Sequence, residues 1–182
     1  MSATDHESRR TSALALWRYA HDYLKAAQSL CESDEVTCTE SQALHHLAAQ
    51  GLEFALKSFL RAQGVTQDDL TSRVGHSLLA AFEEALARGL PTPPAHVVRT
   101  IQEIAPHLRD DQFRYIVTEF DDLPELSPLL AAGLWILAEG AEVAAADYYV
   151  YYRPGSRVEV DAMVARLRAD LELTASKVQY PH

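Results

Sequence analysis

Apolar side chains recur every third or fourth residue along almost the whole chain, and no other feature constrains its fold as strongly. Leu16, Ala20, Tyr23, Ala27 and Leu30, flanked by Trp17 and Leu24, fall on one side of a 3.6-residue helix, while Arg18, Asp22, Lys25 and Gln28 fall elsewhere. The pattern predicts one amphipathic helix from about Glu7 to Cys31. A second stripe, Leu44, Leu47, Gly51, Ala55 and Phe59 with Leu52, Leu56 and Leu60 beside it, predicts a helix capped by Thr39 or Ser41 and closed by Gly64. Gly51 in mid-helix costs about 1 kcal/mol against Ala, which is explained if a neighbouring helix backbone passes close there. The two helices are expected to pair as an antiparallel hairpin.

Further along, Thr66 to Leu70 reads as a capped single turn, and Leu78, Leu79, Phe82, Ala85 and Leu86 form a third helix stopped by Gly89 and the prolines that follow. A short fourth helix, about Pro94 to Ala105, presents Val97, Val98, Ile101 and Ile104, with Pro106 expected to break or kink it. Asp110 to Glu125 has no clean period and reads as loop. Ser127-Pro128 reads as a hydroxyl cap with proline at the first helical position, opening a fifth helix that runs to about Tyr152. After the turn Arg153-Pro154-Gly155-Ser156, a last helix from about Val158 to Lys177 is expected.

No run alternates with period two between hairpin turns, so the fold class is all-α: an antiparallel up-down bundle of about five to six helices. Residues 1–152 form the bundle and 153–182 a turn and helix packed on it or on a partner subunit. At 182 residues, one domain is the natural size. Residues Leu126 to Val150 are mostly apolar, but Glu139, Glu142 and Asp147 interrupt them, so a buried core helix is expected and no membrane span. The polar start of the chain has no apolar stretch behind Arg9 and Arg10, unlike a secretory signal, and Cys31 and Cys38 match no metal or redox spacing. A cytoplasmic protein with two reduced thiols is expected.

Sixteen Lys and Arg against 26 Asp and Glu leave a net charge of −10, so no global basic field draws in a polyanion, and any nucleic-acid contact needs a local cationic patch. Arg153, Arg157, Arg166 and Arg168 beside Tyr148, Tyr149, Tyr151 and Tyr152 could stack bases or bury an oligomer interface. At this net charge the interface is preferred. His21, His45 and His46 on the first two helices, with Asp22 and Glu53 nearby, invite a metal site, but the Glu-x-x-His and H-E-x-x-H spacings are absent. Adjacent His45 and His46 point about 100° apart on a helix, so they read as surface or rim histidines. Neither a metal nor a cofactor is implied. Phosphate-loop and nucleophile-elbow motifs are missing, and the paired Asp residues sit in loops as turn and cap residues.

The run from Leu52 to Gly64, with Glu53, Leu56, Lys57 and Leu60, followed by Gly75-His76-Ser77-Leu78, resembles bacterial members of the HEPN superfamily. In that family a helix reading roughly E-x-a-L-K-x-x-L-x-x-x-G precedes G-H-x-L at the start of the next helix. Tyr23-Leu24 with Ala26-Ala27, and Phe113-Arg114-Tyr115, also resemble family segments, and the match spans about Leu14 to Ala146. The resemblance implies a helical bundle, homodimerisation, and a link to nucleotide or RNA systems such as toxin–antitoxin and phage defence. Carried onto this chain, it marks Glu53, Lys57, His76, Arg114 and Tyr115 as ligand-binding positions.

Family ribonucleases place an arginine four to six residues ahead of a histidine. Here Arg73 is too close to His76, and the pairs Arg88 with His96 and Arg99 with His107 are too far apart. The expectation is therefore a non-catalytic bundle that binds a nucleotide, RNA or protein partner. Two alternatives stand beside it: a metal-independent RNase with an atypical site at His76, Arg73 and Arg114, and a structural scaffold. By itself, the Glu53–Lys57 i,i+4 pair indicates only a helix. His76 at a helix start could either cap that helix or reach across to the helix of Glu53.

Overall fold

The computed structural model describes residues 12–32, 41–109 and 125–151, together with the isolated residues Ala165 and Ala169, with backbone alone at 109 and over 141–151. Its order is α1 (Ala13–Cys31), α2 (Gln42–Ala62), α3 (Gln67–Asp69), a π turn (Leu70–Val74), α4 (Leu78–Ala87), α5 (Ala95–Arg109) and α6 (Leu126–Tyr151). Among the described residues there is no strand. No helix among them is long and apolar enough to cross a membrane.

The helix starts follow hydroxyl chemistry. Ser12, Ser41, Thr66 and Ser77 each adopt extended backbone and accept from the amide three residues on, which satisfies one of the donors that a helix start leaves open. Gly64 and Gly89 follow α2 and α4 at φ +82 and +93, left-handed values that let the chain leave each helix sharply. Ser12 opens α1 later than the predicted Glu7, and residues 7–11 lie outside the described set.

Two other boundaries differ from expectation. Helix α5 continues through Pro106 to Arg109, because Ile104, Ala105 and the half-buried Leu108 carry its apolar stripe onto the core past the proline. Pro106 and Gln102 are both exposed, so the backbone bond lost between them lies on the solvent side. Helix α6 begins at Leu126 and not after Ser127, because Leu126 is itself buried. Pro128 then falls third in the helix, still among the positions whose amides lack an intrahelical partner.

Three helices meet at Leu24 of α1, which is 1% exposed. A Cβ on Gly51 of α2 would stand 2.7 Å from Leu24 Cγ and 3.2 Å from the Ala20 carbonyl, and a Cβ on Gly133 of α6 would stand 2.6 Å from Leu24 Cδ2. Gly51 is thus where the α1 backbone passes close, as the mid-helix glycine predicts. Two buried hydrogen bonds tie the same helices: Ser58 Oγ donates to the Ala13 carbonyl at 2.8 Å, and Trp17 Nε1 donates to the Leu137 carbonyl at 2.8 Å. From Leu24 back to Ala13 on α1, the contacts advance from Gly51 to Ser58 on α2 and from Gly133 to Leu137 on α6.

Leu52, Leu56, Phe59 and Leu60 of α2 and Leu129, Leu130, Ile136 and Leu137 of α6 fill the centre, each contributing about 1.5–3 kcal/mol by leaving water. Helix α6 is buried on nearly every side over residues 129–137, in line with the expected core helix. Leu30 and Leu86, predicted on buried stripes, are exposed at 42% and 38%. Leu30 lies in the last turn of α1 and Leu86 in the last turn of α4, where neighbouring helices give less cover. Glu125 is described, exposed and outside a helix, while residues 110–124 of the expected loop 110–125, the tyrosine–arginine segment after 147, and the turn and last helix at 153–177 lie outside the described side chains. Ala165 and Ala169 alone are placed there, helical and exposed.

Candidate functional site

Glu53 sits in the middle of α2 with its side chain only 6% exposed, next to the buried Leu52 and Ala55. A bare carboxylate there would carry a desolvation penalty of several kcal/mol, so it must be paired. Lys57, one turn on, brings its Nζ to 2.5 Å from Glu53 Oε1, with its own side chain 14% exposed. The Nδ1 of His76, 23 residues further along, lies 3.1 Å from the same oxygen. Since a carboxylate only accepts, the imidazole donates its Nδ1 proton, and in the neutral ring Nε2 is then left as an acceptor. The His76 side chain is 62% exposed, so the group projects outward from a buried anchor.

The chain between α2 and α4 places that ring beside Glu53. Val65 is buried directly after Gly64, Thr66 caps α3, and the π turn drives Leu70 and Val74 into the core. The turn closes with the Gly75 amide donating to the Leu70 carbonyl at 2.8 Å, five residues back. Gly75 has φ +55 and ψ −128, a conformation open to glycine and strained for other residues. His76 follows at once, and Ser77, not His76, caps α4. Of the two roles open to His76 in the sequence, the structure has the bond across to Glu53. Isolated π turns inside helical segments are rare and are found often at functional sites.

Arg73 does not join this group. Its guanidinium lies 3.9 Å from Asp69 and 3.3 Å from Glu84 of α4, on exposed ground. Glu84 also accepts from Arg88 Nε at 2.6 Å. The Arg88 hydrogen bond foremost, together with the charges of Arg88 and Arg73, holds the Glu84 carboxyl below the usual glutamate range. Arg114 and Tyr115 lie outside the described residues. The structure therefore brings Glu53, Lys57 and His76 together and sends Arg73 to a separate carboxylate cluster.

The histidines of α1 and α2 do not converge on an ion. His21 stacks on Trp17 with ring centroids 5.7 Å apart and 12° between planes, and its Nδ1 lies 3.3 Å from Asp22. His45 is buried and not at the rim as expected: its Nδ1 donates to the Ser41 carbonyl at 2.9 Å, which reinforces the start of α2. Glu53 is engaged by Lys57 and His76 instead. Among the described residues, no group of three His, Cys, Asp or Glu side chains could hold a metal.

One feature passed unnoticed in the sequence. Tyr19 and Tyr23 of α1 flank Phe54 of α2, at centroid distances of 6.0 and 5.6 Å, and Tyr19 remains 52% exposed. The i,i+4 tyrosine pair was the available signal, masked because Tyr23 also fits the apolar stripe.

No family model, no curated protein and no solved structure matches this chain.

Proposed function

We propose that the protein is a non-catalytic, HEPN-like antiparallel bundle that works as a homodimer in the cytoplasm and holds a nucleotide or RNA phosphate at the Glu53–Lys57–His76 corner. The supporting observation is the buried Glu53 carboxylate, which holds an ammonium and an outward imidazole on one oxygen. Two groups fixed by one buried acceptor keep a single geometry in the absence of ligand: the Lys57 ammonium has protons to spare for an anionic phosphate, and His76 Nε2 adds a second donor when the ring is protonated. The reversed order of the α1 contacts on α2 and α6 supports the antiparallel arrangement. An accessory role in a toxin–antitoxin or defence-type system fits such a binder.

A binding role is favoured over an RNase by the position of Arg73. Phosphodiester cleavage by paired imidazole and guanidinium needs both aimed at one phosphate. Arg73 is instead held by Asp69 and Glu84. Two measurements test the proposal. Calorimetric titration of the full chain with mononucleotides and short RNAs should give saturable binding that weakens in His76→Ala, and no binding overturns it. Incubation with total RNA should leave the RNA intact with both proteins, whereas cleavage lost in His76→Ala would restore the enzyme.

A further inference from the structure

The reactivity of an imidazole depends on which ring nitrogen keeps its lone pair and on whether that nitrogen meets solvent. Glu53 takes the Nδ1 proton of His76, which leaves the lone pair on Nε2, and the side chain is 62% exposed. Among the described residues His76 is the only exposed histidine. His21 also sets Nδ1 against a carboxylate, 3.3 Å from Asp22, yet its Nε2 is buried, and His45 is buried against the start of α2. The surroundings of His76 suit added negative charge. Lys57 shares the Glu53 oxygen with the ring, so that carboxylate is already balanced by an ammonium. His76 also directly precedes Ser77, the cap of the ten-residue α4, whose N-terminal end favours an anion.

We propose that His76 is a phosphoryl-acceptor site, whose Nε2 takes a phosphoryl group from a donor of the phosphoramidate class, the macromolecular form of which is a phosphohistidine on another protein. The Nε2 lone pair forms the new P–N bond as the donor's P–N bond breaks, and the donor nitrogen leaves as a neutral amine or imidazole with the bonding pair. One P–N bond replaces another, so no further co-reactant enters the balance. The product ring keeps its Nδ1 proton and gains a positive charge, which the Glu53 carboxylate stabilises. Lys57, held on the same carboxylate oxygen, supplies positive charge beside the incoming phosphoryl oxygens. An acyl or alkyl group would draw nothing from that ammonium, so the cation selects phosphoryl transfer. Glu53 and Lys57 are positioning residues here, and the site does not depend on the nucleotide or RNA binding proposed above.

Incubation of the full chain with potassium phosphoramidate, followed by mass spectrometry of the intact chain and its peptides, tests this. The folded protein, the same protein unfolded in urea, and His76→Gln, with its fold checked by circular dichroism, are compared. His76 is expected to gain a phosphoryl group at least about tenfold faster in the folded chain than in urea, a modest part of what a pre-set charge at a transferring phosphoryl group contributes. The adduct should survive alkali, be lost in acid as P–N bonds are, and vanish in His76→Gln. The other histidines should react no faster folded than unfolded. Equal rates for His76 in the two states, a folded chain left unmodified, or phosphoryl groups on other residues with His76 bare would each overturn the proposal. No nucleotide is added, so these outcomes leave the nucleotide reading to be decided by its own titration.

Discussion

Leu24 occupies the space that a side chain on Gly133 would need: a Cβ there would stand 2.6 Å from Leu24 Cδ2, and the same leucine faces Gly51 on its other flank. One buried knob thus sets the approach of α1 to both α2 and α6. Close-packed interiors resist added volume, so the two glycines are packing residues despite their poor helix propensity.

Gly51→Ala and Gly133→Ala should each destabilise the protein by up to about 2 kcal/mol, since overpacking of about 1–3 kcal/mol is set against a propensity gain of about 1 kcal/mol. Leu24→Ala should cost about 2–5 kcal/mol. Adding Gly133→Ala to Leu24→Ala should recover part of that loss. Urea midpoints at constant slope measure all four, and additive losses would refute a shared space.

Lys57→Met should cost about 3 kcal/mol, because it strips the main partner from a buried carboxylate. The paired change Glu53→Leu with Lys57→Met should be far milder, as apolar groups of similar volume replace a desolvated ion pair. Thermal unfolding followed by circular dichroism separates the two. Equal losses would mean that the pair is solvated.

Gly75→Ala should cost about 1–3 kcal/mol through its positive φ. It should also pull His76 away from Glu53, seen as a shift of the His76 ring resonances toward those of Glu53→Gln in NMR spectra. Unchanged resonances would show that the π turn does not position the ring.

Glu84 carries a pH dependence of definite sign. The Arg88 hydrogen bond first, and then the charges of Arg88 and Arg73, hold its carboxyl below the usual glutamate range in the folded chain. The stabilisation is therefore present above the ordinary glutamate range and is lost as the pH falls through the lowered folded value. In Glu84→Gln, the melting temperature should lie slightly below wild type at neutral pH and converge with it in acid. Because the group is at the surface, salt should shrink the difference.

Much of the helical framework was legible because its signals are local. Apolar spacing of three and four marked α1, α2, α4 and α6, and Ser41, Thr66, Gly64 and Gly89 punctuated the chain where a hydroxyl or a left-handed residue is needed. The Glu53–Lys57 pair was legible as an i,i+4 pair, since helix geometry alone brings those side chains together. Burial of that pair was not, because nothing in the residues from 53 to 57 states which neighbours cover them.

The outcomes that spacing left open were settled by contacts between distant residues. His76 could cap its own helix or cross to α2, and the π turn, anchored by Leu70 and Val74, takes it across. Arg73 is drawn to Glu84, eleven residues on, by where α4 packs. Pro106 stays inside a helix because Leu108 beyond it has a core to reach. By itself the sequence determined that this chain makes helices, and where most of them begin and end, since those choices depend on hydrogen bonds and apolar faces within a few residues. Only the tertiary structure decided which carboxylate is buried, which imidazole faces solvent above it, and which glycines admit a neighbour, because burial and desolvation depend on side chains that the linear order keeps far apart.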